Sequence, residues 1–271
     1  MMSTTPRVAR ASRLLLALLL VAAAPRANGQ GGADPLPSWN DGPAKQAITS
    51  FVQRVTAPGG PDFVPVEDRI AAFDNDGTLW AEKPLPTEVY FVLARVRELA
   101  ARDPSLAGRQ PFKAALEGDA AYFHEAGPEA VLQLLALTHA GMTQEEFAYD
   151  ALRFLASERH PALHRPFTGA VYQPMLELLA YLRANGFQTW ISSGGTLDFI
   201  RVFAPVTYGV PPERTIGSEL QRQSRRAAGR LSIVRLPRPE HLNDKDGKPV
   251  GIDRHIGRRP LLVAGNVLSG G

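Results

Sequence analysis

Cysteine is absent from this chain of 271 residues. Its absence excludes disulfide bonds, cysteine-based zinc sites, a thiol nucleophile and a lipid-modified N-terminal cysteine. A large charge of one sign is also absent, since 30 basic and 27 acidic residues give a net charge of +3. Four of the basic residues are arginines within residues 1–29, which hold no acid, so the remaining chain carries a net charge of −1. This balance argues against a nucleic-acid-binding protein.

Long hydrophobic runs are scarce, and the clearest one covers residues 14–24. Arginines precede this run, and the small residues Ala-Asn-Gly at 27–29 are typical of a cleavage site. A membrane-spanning helix needs about 20 apolar residues, more than this run provides. We therefore expect residues 1–29 to be a cleaved signal peptide, which leaves a periplasmic or secreted protein with no stable membrane anchor.

Strand and helix patterns alternate along much of the chain. Short apolar segments predict strands at 69–73, 187–191 and 260–264. Helical spacing of apolar residues predicts helices at 43–57, 172–185 and 196–203, and residues 213–240 are expected to form short strands and hairpins. Strands that alternate with helices predict an α/β fold with a doubly wound parallel sheet.

The segment from residue 86 to 160 differs because its pattern is helical throughout. Helices are predicted at 87–102 and 128–139. A third begins after Thr143, which forms a capping-box pattern with Glu146. No strand pattern interrupts these helices, so we predict an inserted helical unit.

The most distinctive polar motif is DNDGT at residues 74–78, directly after the first predicted strand. Its two carboxylates, Asp74 and Asp76, suit a nucleophile and a general acid/base. The alternative is a simple turn, because Asp, Asn and Gly are common turn residues. Trp80 and Glu82 follow closely, and either shape a substrate pocket or serve packing and surface pairing.

Two weaker motifs follow later strands. Ser193, Gly194 and Gly195 separate a predicted strand from a predicted helix, where a hydroxyl and free backbone amides can hold a phosphate group. Lys248 lies in the sequence DGKP and, taken alone, is an ordinary turn lysine. Ligands of open α/β sheets bind at the carboxyl ends of the strands, where all three motifs are predicted.

The order of these motifs resembles the haloacid dehalogenase (HAD) superfamily. FDNDGT at 73–78 resembles its first motif, WISSGG at 190–195 its second, and Lys248 its third, while the helical insert looks like a C1 cap. FDNDGTLWAEKP at 73–84 is similar to a subgroup of exported phosphoserine-phosphatase-like hydrolases. The resemblance implies a three-layer α/β/α Rossmann-like core at 30–85 and 165–271, and a helical C1 cap at 86–164.

By this resemblance, the chain hydrolyses a small phosphorylated metabolite with Mg²⁺ as cofactor and an aspartyl-phosphate intermediate. Asp74 is then the nucleophile and Asp76 the general acid/base. The residues implied to bind phosphate are Ser193, Gly194 and Lys248, and those implied to hold the metal are Asp74, Asp76 and Asn266. A dehalogenase is disfavoured because it needs only the first aspartate, whereas a sugar-phosphate mutase would share the same motifs.

The chain departs from the family after Gly265 and Asn266, where one or two further acids are expected. Residues 267–271 read VLSGG and contain no acid. We expect an incomplete or frameshifted reading frame and impaired catalysis. The alternative function is an exported phosphate-ligand binding protein with weak or no activity, and the sequence predicts no oligomeric state.

Overall fold

The computed structural model describes residues 34–266 of the chain. The predicted signal peptide at 1–29 and the segment at 267–271 lie outside the described residues. The signal peptide and the incomplete or frameshifted reading frame therefore stay predictions. Across residues 34–266, no helix is both long enough and apolar enough to cross a membrane.

The described elements follow the predicted alternation. The strands are β1 (Ile70–Phe73), β2 (Gln188–Thr196), β3 (Thr215–Ala227), β4 (Arg230–His241) and β5 (Leu262–Ala264). The helices are α1 (Pro43–Thr56), α2 (Thr87–Arg102), α3 (Phe112–Glu117), α4 (Ala120–Ala126), α5 (Pro128–His139), α6 (Gln144–Ser157), α7 (Gln173–Ala184), α8 (Leu197–Tyr208) and α9 (Gly247–Ile256).

The five strands form one sheet in the order β4-β3-β2-β1-β5. Strands β3, β2, β1 and β5 are parallel, and β4 is antiparallel to β3. The chain moves outward from β1 to β3 and then returns to place β5 on the other side of β1. The predicted doubly wound α/β fold is therefore confirmed, and its topological switch point lies between β1 and β5.

Helices cover both faces of the sheet, as expected for three layers. On one face, Phe73 and Ile191 join the main core together with side chains of α1, α7 and α8. On the other face, a smaller cluster joins strand residues to α9, and its members are Ile70, Ala72, Trp190, Ile216, Ile252 and Ile256. Burial of alternate strand residues on opposite faces explains why the short strand β1 is apolar at every position.

Strands β3 and β4 form one long hairpin, so the prediction of a hairpin at 213–240 is confirmed and the prediction that its strands are short is wrong. A two-residue turn at Ala228 and Gly229 joins the strands, and both residues have positive φ, +47° and +78°. Such turns match the twist of paired strands, which favours a long ladder. Arg225, Arg226 and Arg230 near the tip of the hairpin are exposed.

Helices α2 to α6 lie between β1 and β2 with no strand among them, which confirms the predicted helices of the insert. Both capping-box hydrogen bonds between Thr143 and Glu146 are present at the start of α6. The boundaries of a separate cap at 86–164 stay a prediction.

Arg235 of β4 connects the hairpin to the insert and to helix α8. Its side chain is 3% exposed, and its Nε donates to Asp198 Oδ2 at 2.7 Å. Its Nη1 donates to the carbonyl of Thr143 at 2.9 Å, and its guanidinium lies 4.4 Å from the ring centre of Phe147. Burial raises the pKa of Asp198, but the hydrogen bond and charge of Arg235 outweigh this effect, so its pKa is lowered.

We predict that Arg235→Ala lowers the free energy of unfolding by about 3 kcal/mol or more, because it leaves a buried carboxylate without its main partner. Urea denaturation at pH 7 measures the change. Arg238→Ala on the same strand is the control, since Arg238 is exposed and should lose less than about 0.5 kcal/mol. Equal losses in the two variants would contradict the structural role of Arg235.

Candidate active site

Asp74 lies at the switch point of the sheet, directly after the last residue of β1. Its backbone N–H donates to the carbonyl of Ala264 in β5 at 2.8 Å, which joins the ends of the two strands. The residue is 7% exposed. The fold therefore places this aspartate where open α/β sheets bind their ligands.

Lys248 contacts Asp74 although the two residues are far apart in sequence. Its Nζ lies 3.0 Å from Asp74 Oδ2, and the backbone N–H of Asn75 donates to Asp74 Oδ1 at 2.8 Å. Lys248 reaches this position from the first turn of α9. The interpretation of Lys248 as an ordinary turn lysine is therefore wrong, because a local pattern does not show a partner on another element.

Asp76 is held by Trp80. The indole Nε1 donates to Asp76 Oδ1 at 2.8 Å, and the indole stacks on Phe203 with ring centres 4.3 Å apart. Burial raises the pKa of Asp76 to about 6; the Trp80 hydrogen bond acts against this rise, and the charges of Glu88 and Asp74 add to it. Trp80 thus both packs in the core and orients a carboxylate.

Gly77, in the turn between Asp76 and Trp80, lets the side chains of Asn266 and Glu82 lie close to its backbone. Its φ is +73°, and an added Cβ would lie 2.2 Å from Asn266 Nδ2 and 2.9 Å from Glu82 Cδ. Only glycine fits this backbone conformation and this space. Asn266 and Glu82 therefore both flank the motif, which brings the predicted metal-ligand residue Asn266 next to Asp76.

Ser193 and Gly194 lie at the same edge of the sheet, on the neighbouring strand. Ser193 is two residues beyond Ile191, whose Cα is paired with that of Phe73. The strand does not end at Ile191, since β2 continues to Thr196 with a shift in its register against β3. The side chain of Ser193 is buried, whereas Gly194 is exposed.

The prediction that the amides after Ser193 are free is wrong for two of them. The N–H of Gly195 donates to Ser193 Oγ at 3.1 Å, and the N–H of Thr196 donates to Glu88 Oε2 at 2.7 Å. The hydroxyl and carboxylate acceptors satisfy these donors within the protein. We name residues 193–196 the serine segment.

Asn243 supports the serine segment and was not predicted. Its buried amide donates to Ser192 Oγ at 3.1 Å and to the carbonyl of Ser193 at 2.9 Å. The hydroxyl of Ser218 donates to the carbonyl of Gly194 at 2.8 Å. Neither residue belongs to a recognisable motif, so no sequence signal indicates these contacts.

Glu88 and Tyr208 are further residues that sequence reasoning missed. Tyr208 donates its hydroxyl hydrogen to Asn75 Oδ1 at 3.0 Å, and burial raises its pKa well above the ordinary value. Glu88 looks in sequence like an ordinary acid in the first turn of a helix. Its contact with Thr196 joins residues that are 108 positions apart in sequence, which no local spacing reveals.

The residues that could hold a metal ion are oxygen donors. The carboxylates of Asp74 and Asp76 and the amide oxygen of Asn266 are the ligand type that Mg²⁺ prefers, with water in the remaining positions. Within residues 34–266, no group of three or more histidine, cysteine, aspartate or glutamate side chains is placed to bind a metal. Two carboxylates and an amide oxygen fit Mg²⁺ rather than a metal that requires several imidazole or thiolate ligands.

A comparison with known families finds a match that spans this site. A family model described as haloacid dehalogenase-like hydrolase matches residues 71–264. This range begins within β1, ends with the last residue of β5 and contains both Asp74 and Lys248. A search of curated proteins finds no significant match.

Similar solved structures include three bacterial proteins of low sequence identity. A conserved protein of unknown function from Anaerococcus prevotii is 16% identical, with a TM-score of 0.52 and coverage of 81% of this chain and 79% of its own. A Bordetella pertussis protein of unknown function is 18% identical, with a TM-score of 0.49 and coverages of 69% and 73%. A phosphoserine phosphohydrolase-like protein from Francisella tularensis is 17% identical, with a TM-score of 0.39 and coverages of 72% and 76%. At this identity, the Anaerococcus match shows the fold alone.

We predict that Asp76→Asn removes a pH-dependent loss of stability. Asp76 has a pKa of about 6 in the folded state against an ordinary value of 3.8, so the folded state binds more protons between these values and loses stability as the pH rises through them. The stability advantage of Asp76→Asn over the unaltered chain should grow by about 2 kcal/mol between pH 4 and pH 7.

Urea denaturation in EDTA measures this difference without bound metal. The amide oxygen of asparagine can still accept the Trp80 hydrogen bond. The control is Asp62→Asn at an exposed position, where the change should stay within a few tenths of a kcal/mol. If the free energies of unfolding of Asp76→Asn and the unaltered chain differ by the same amount at every pH, the prediction is contradicted.

Proposed function

Because this chain belongs to the haloacid dehalogenase-like hydrolase family, we propose that it hydrolyses a small phosphorylated metabolite with Mg²⁺ and an aspartyl-phosphate intermediate. The observation that carries this proposal is the contact of Lys248 Nζ with Asp74 Oδ2 at 3.0 Å, at the switch point of the sheet. A cation beside a buried carboxylate can neutralise the charge of a phosphoryl group that reaches the same position.

In the first step, a carboxylate oxygen of Asp74 attacks phosphorus, and the bond between phosphorus and the ester oxygen breaks. The leaving oxygen takes a proton from Asp76. The hydrogen bond from the Asn75 N–H and the contact with Lys248 orient the Asp74 carboxylate, which lowers the entropic cost of reaching an in-line geometry.

In the second step, Asp76 accepts a proton from a water molecule whose oxygen attacks phosphorus. The bond between phosphorus and Asp74 breaks, and orthophosphate leaves. A carboxyl group with a pKa of about 6 is suited to both proton transfers near neutral pH. The indole of Trp80 fixes the Asp76 oxygen that it contacts, which orients the carboxyl group for proton transfer.

Charge on the phosphoryl oxygens is stabilised by three groups of this chain. Lys248 supplies a positive charge, and Ser193 and Gly194 supply a hydroxyl and a backbone amide at the neighbouring strand end. When bound by Asp74, Asp76 and Asn266, Mg²⁺ would add electrostatic stabilisation of the same charge.

The helical insert is suited to act as the cap that selects the substrate. The segments that lead into and out of it run side by side, since the N–H of Ala81 donates to the carbonyl of Ala170 at 2.9 Å. Trp80 also forms an antiparallel bridge with Val171. This arrangement supports a cap at 86–164 that joins the core through paired connections next to Asp76.

A phosphate-ligand binding protein is the second candidate function. The observation that favours it is the segment GNVLSGG at 265–271, which carries no acid where one or two are expected after β5. Less negative charge at this position would weaken metal binding, and Lys248 with Ser193 would still attract phosphate.

We predict that the chain releases orthophosphate from an aryl phosphate in the presence of Mg²⁺. Asp74→Asn should lower the rate by at least about 100-fold, since it removes the nucleophile, and EDTA should abolish the activity. Phosphate release is measured with purified protein, and Asp62→Asn, which makes the same chemical change at an exposed position, should match the unaltered chain.

Activity that survives Asp74→Asn would contradict the aspartyl-phosphate mechanism, and activity that is unaffected by EDTA would contradict the metal. If there is no activity, orthophosphate binding that is lost in Lys248→Ala would favour the second candidate function.

A further inference from the structure

We propose that Glu88, contributed by the helical insert, is a positioning residue that holds the serine segment in the conformation used for phosphoryl transfer. This inference rests on the proposed function. It assigns to the insert a role in building the phosphate-binding site, in addition to any role in selecting the substrate.

Glu88 binds the serine segment with both of its carboxylate oxygens. Oε2 accepts the backbone N–H of Thr196 at 2.7 Å, and Oε1 accepts the Thr196 hydroxyl hydrogen. The carboxylate is buried, with the residue 8% exposed. Hydrogen bonds to a charged acceptor are about twice as strong as those between neutral groups, and two bonds to one residue fix its orientation.

The serine segment depends on side-chain contacts because the sheet ladder is irregular there. The pairing of β2 with β3 shifts its register between Ser192 and Thr196. Side chains of the core satisfy part of the segment through Asn243 and Ser218. In the described part of the chain, Glu88 is the residue of the helical insert that hydrogen-bonds to this segment.

The space around Gly195 shows how closely the carboxylate approaches the segment. An added Cβ at Gly195 would lie 2.8 Å from Glu88 Oε2 and 3.5 Å from Ser193 Oγ. Glu88 and Ser193 therefore flank the same glycine. A shift of Thr196 would also move Gly195 and Ser193, because the N–H of Gly195 donates a hydrogen bond to Ser193 Oγ.

A buried carboxylate is an unfavourable group for a purely structural contact. Burial of a charge costs free energy unless donors compensate for it, and Asp76 nearby adds repulsion. The two hydrogen bonds from Thr196 compensate for the burial of the Glu88 charge. The Nε2 atom of buried His139 also lies 3.7 Å from Glu88 Oε1. Removal of Glu88 should therefore alter the serine segment more than it alters overall stability.

The experiment compares Glu88→Ala, Glu88→Gln and Glu98→Ala in the full chain. Glu98 lies on the same helix and pairs with Arg95 and Arg153, so its removal is a matched loss of a glutamate contact away from the serine segment. Hydrogen exchange of the Thr196 amide and steady-state kinetics with an aryl phosphate are both measured.

We expect Glu88→Ala to raise the exchange rate of the Thr196 amide by at least 10-fold and to lower kcat by about 100-fold, with KM changed by less than about threefold. Glu88→Gln keeps an acceptor oxygen and should recover kcat to within about 10-fold of the unaltered chain. Glu98→Ala should change neither quantity when the values are referred to folded protein.

Unchanged exchange of the Thr196 amide in Glu88→Ala would overturn the proposal, as would faster exchange with unchanged kcat. An equal loss of kcat in Glu98→Ala would also overturn it, because it would reveal a general effect of the insert. If the unaltered chain releases no phosphate, the proposed function fails, and the exchange measurement alone decides whether Glu88 holds the segment.

Discussion

Repulsion among acidic groups at one end of the sheet is the constraint on which the rest of the site depends. Asp74, Asp76 and Glu88 are close enough that the charges of Asp74 and Glu88 raise the pKa of Asp76. Each acid has its own compensation: Lys248 for Asp74, the Trp80 indole for Asp76 and Thr196 for Glu88. These partners come from different elements of the fold, so the assembled tertiary structure is needed to hold the acids together.

The sheet topology explains why these groups meet. Reversal of strand order between β1 and β5 opens a crevice at the carboxyl ends of the strands. Asp74 and Asn266 lie on its two sides, and the serine segment lies beyond β2, the next strand. Helix α9 then returns across the sheet and brings Lys248 to the same edge. The two segments that connect the insert to the core pair with each other at Trp80 and Val171, beside this crevice. The insert therefore begins close to the reacting groups.

Much of this arrangement could be predicted from the sequence, because it has local signatures. Apolar segments defined the strands, and the capping box of Thr143 and Glu146 defined a helix start. The DNDGT motif after a buried strand indicated the position of Asp74 and Asp76. Such features depend on residues within a few positions of one another, where spacing carries the physical information.

The remaining features depend on contacts between distant segments. Lys248 contacts Asp74 because α9 brings these distant residues together, and Glu88 contacts Thr196 across 108 positions of the sequence. The amides of Gly195 and Thr196 were expected to be free because the sequence does not show which side chains reach them. The strands of the β3–β4 hairpin were expected to be short because the sequence does not show how far their pairing extends.

The central claim is that Asp74 forms a covalent bond with the phosphoryl group, and direct trapping of that bond tests it best. The full chain is mixed with an aryl phosphate and Mg²⁺, quenched in acid, reduced with borohydride and analysed by peptide mass spectrometry. Borohydride converts an aspartyl-phosphate to homoserine, so the account predicts this change at Asp74 and at no other aspartate. Steady phosphate release with Asp74 unmodified, or with the change at another aspartate, would contradict it.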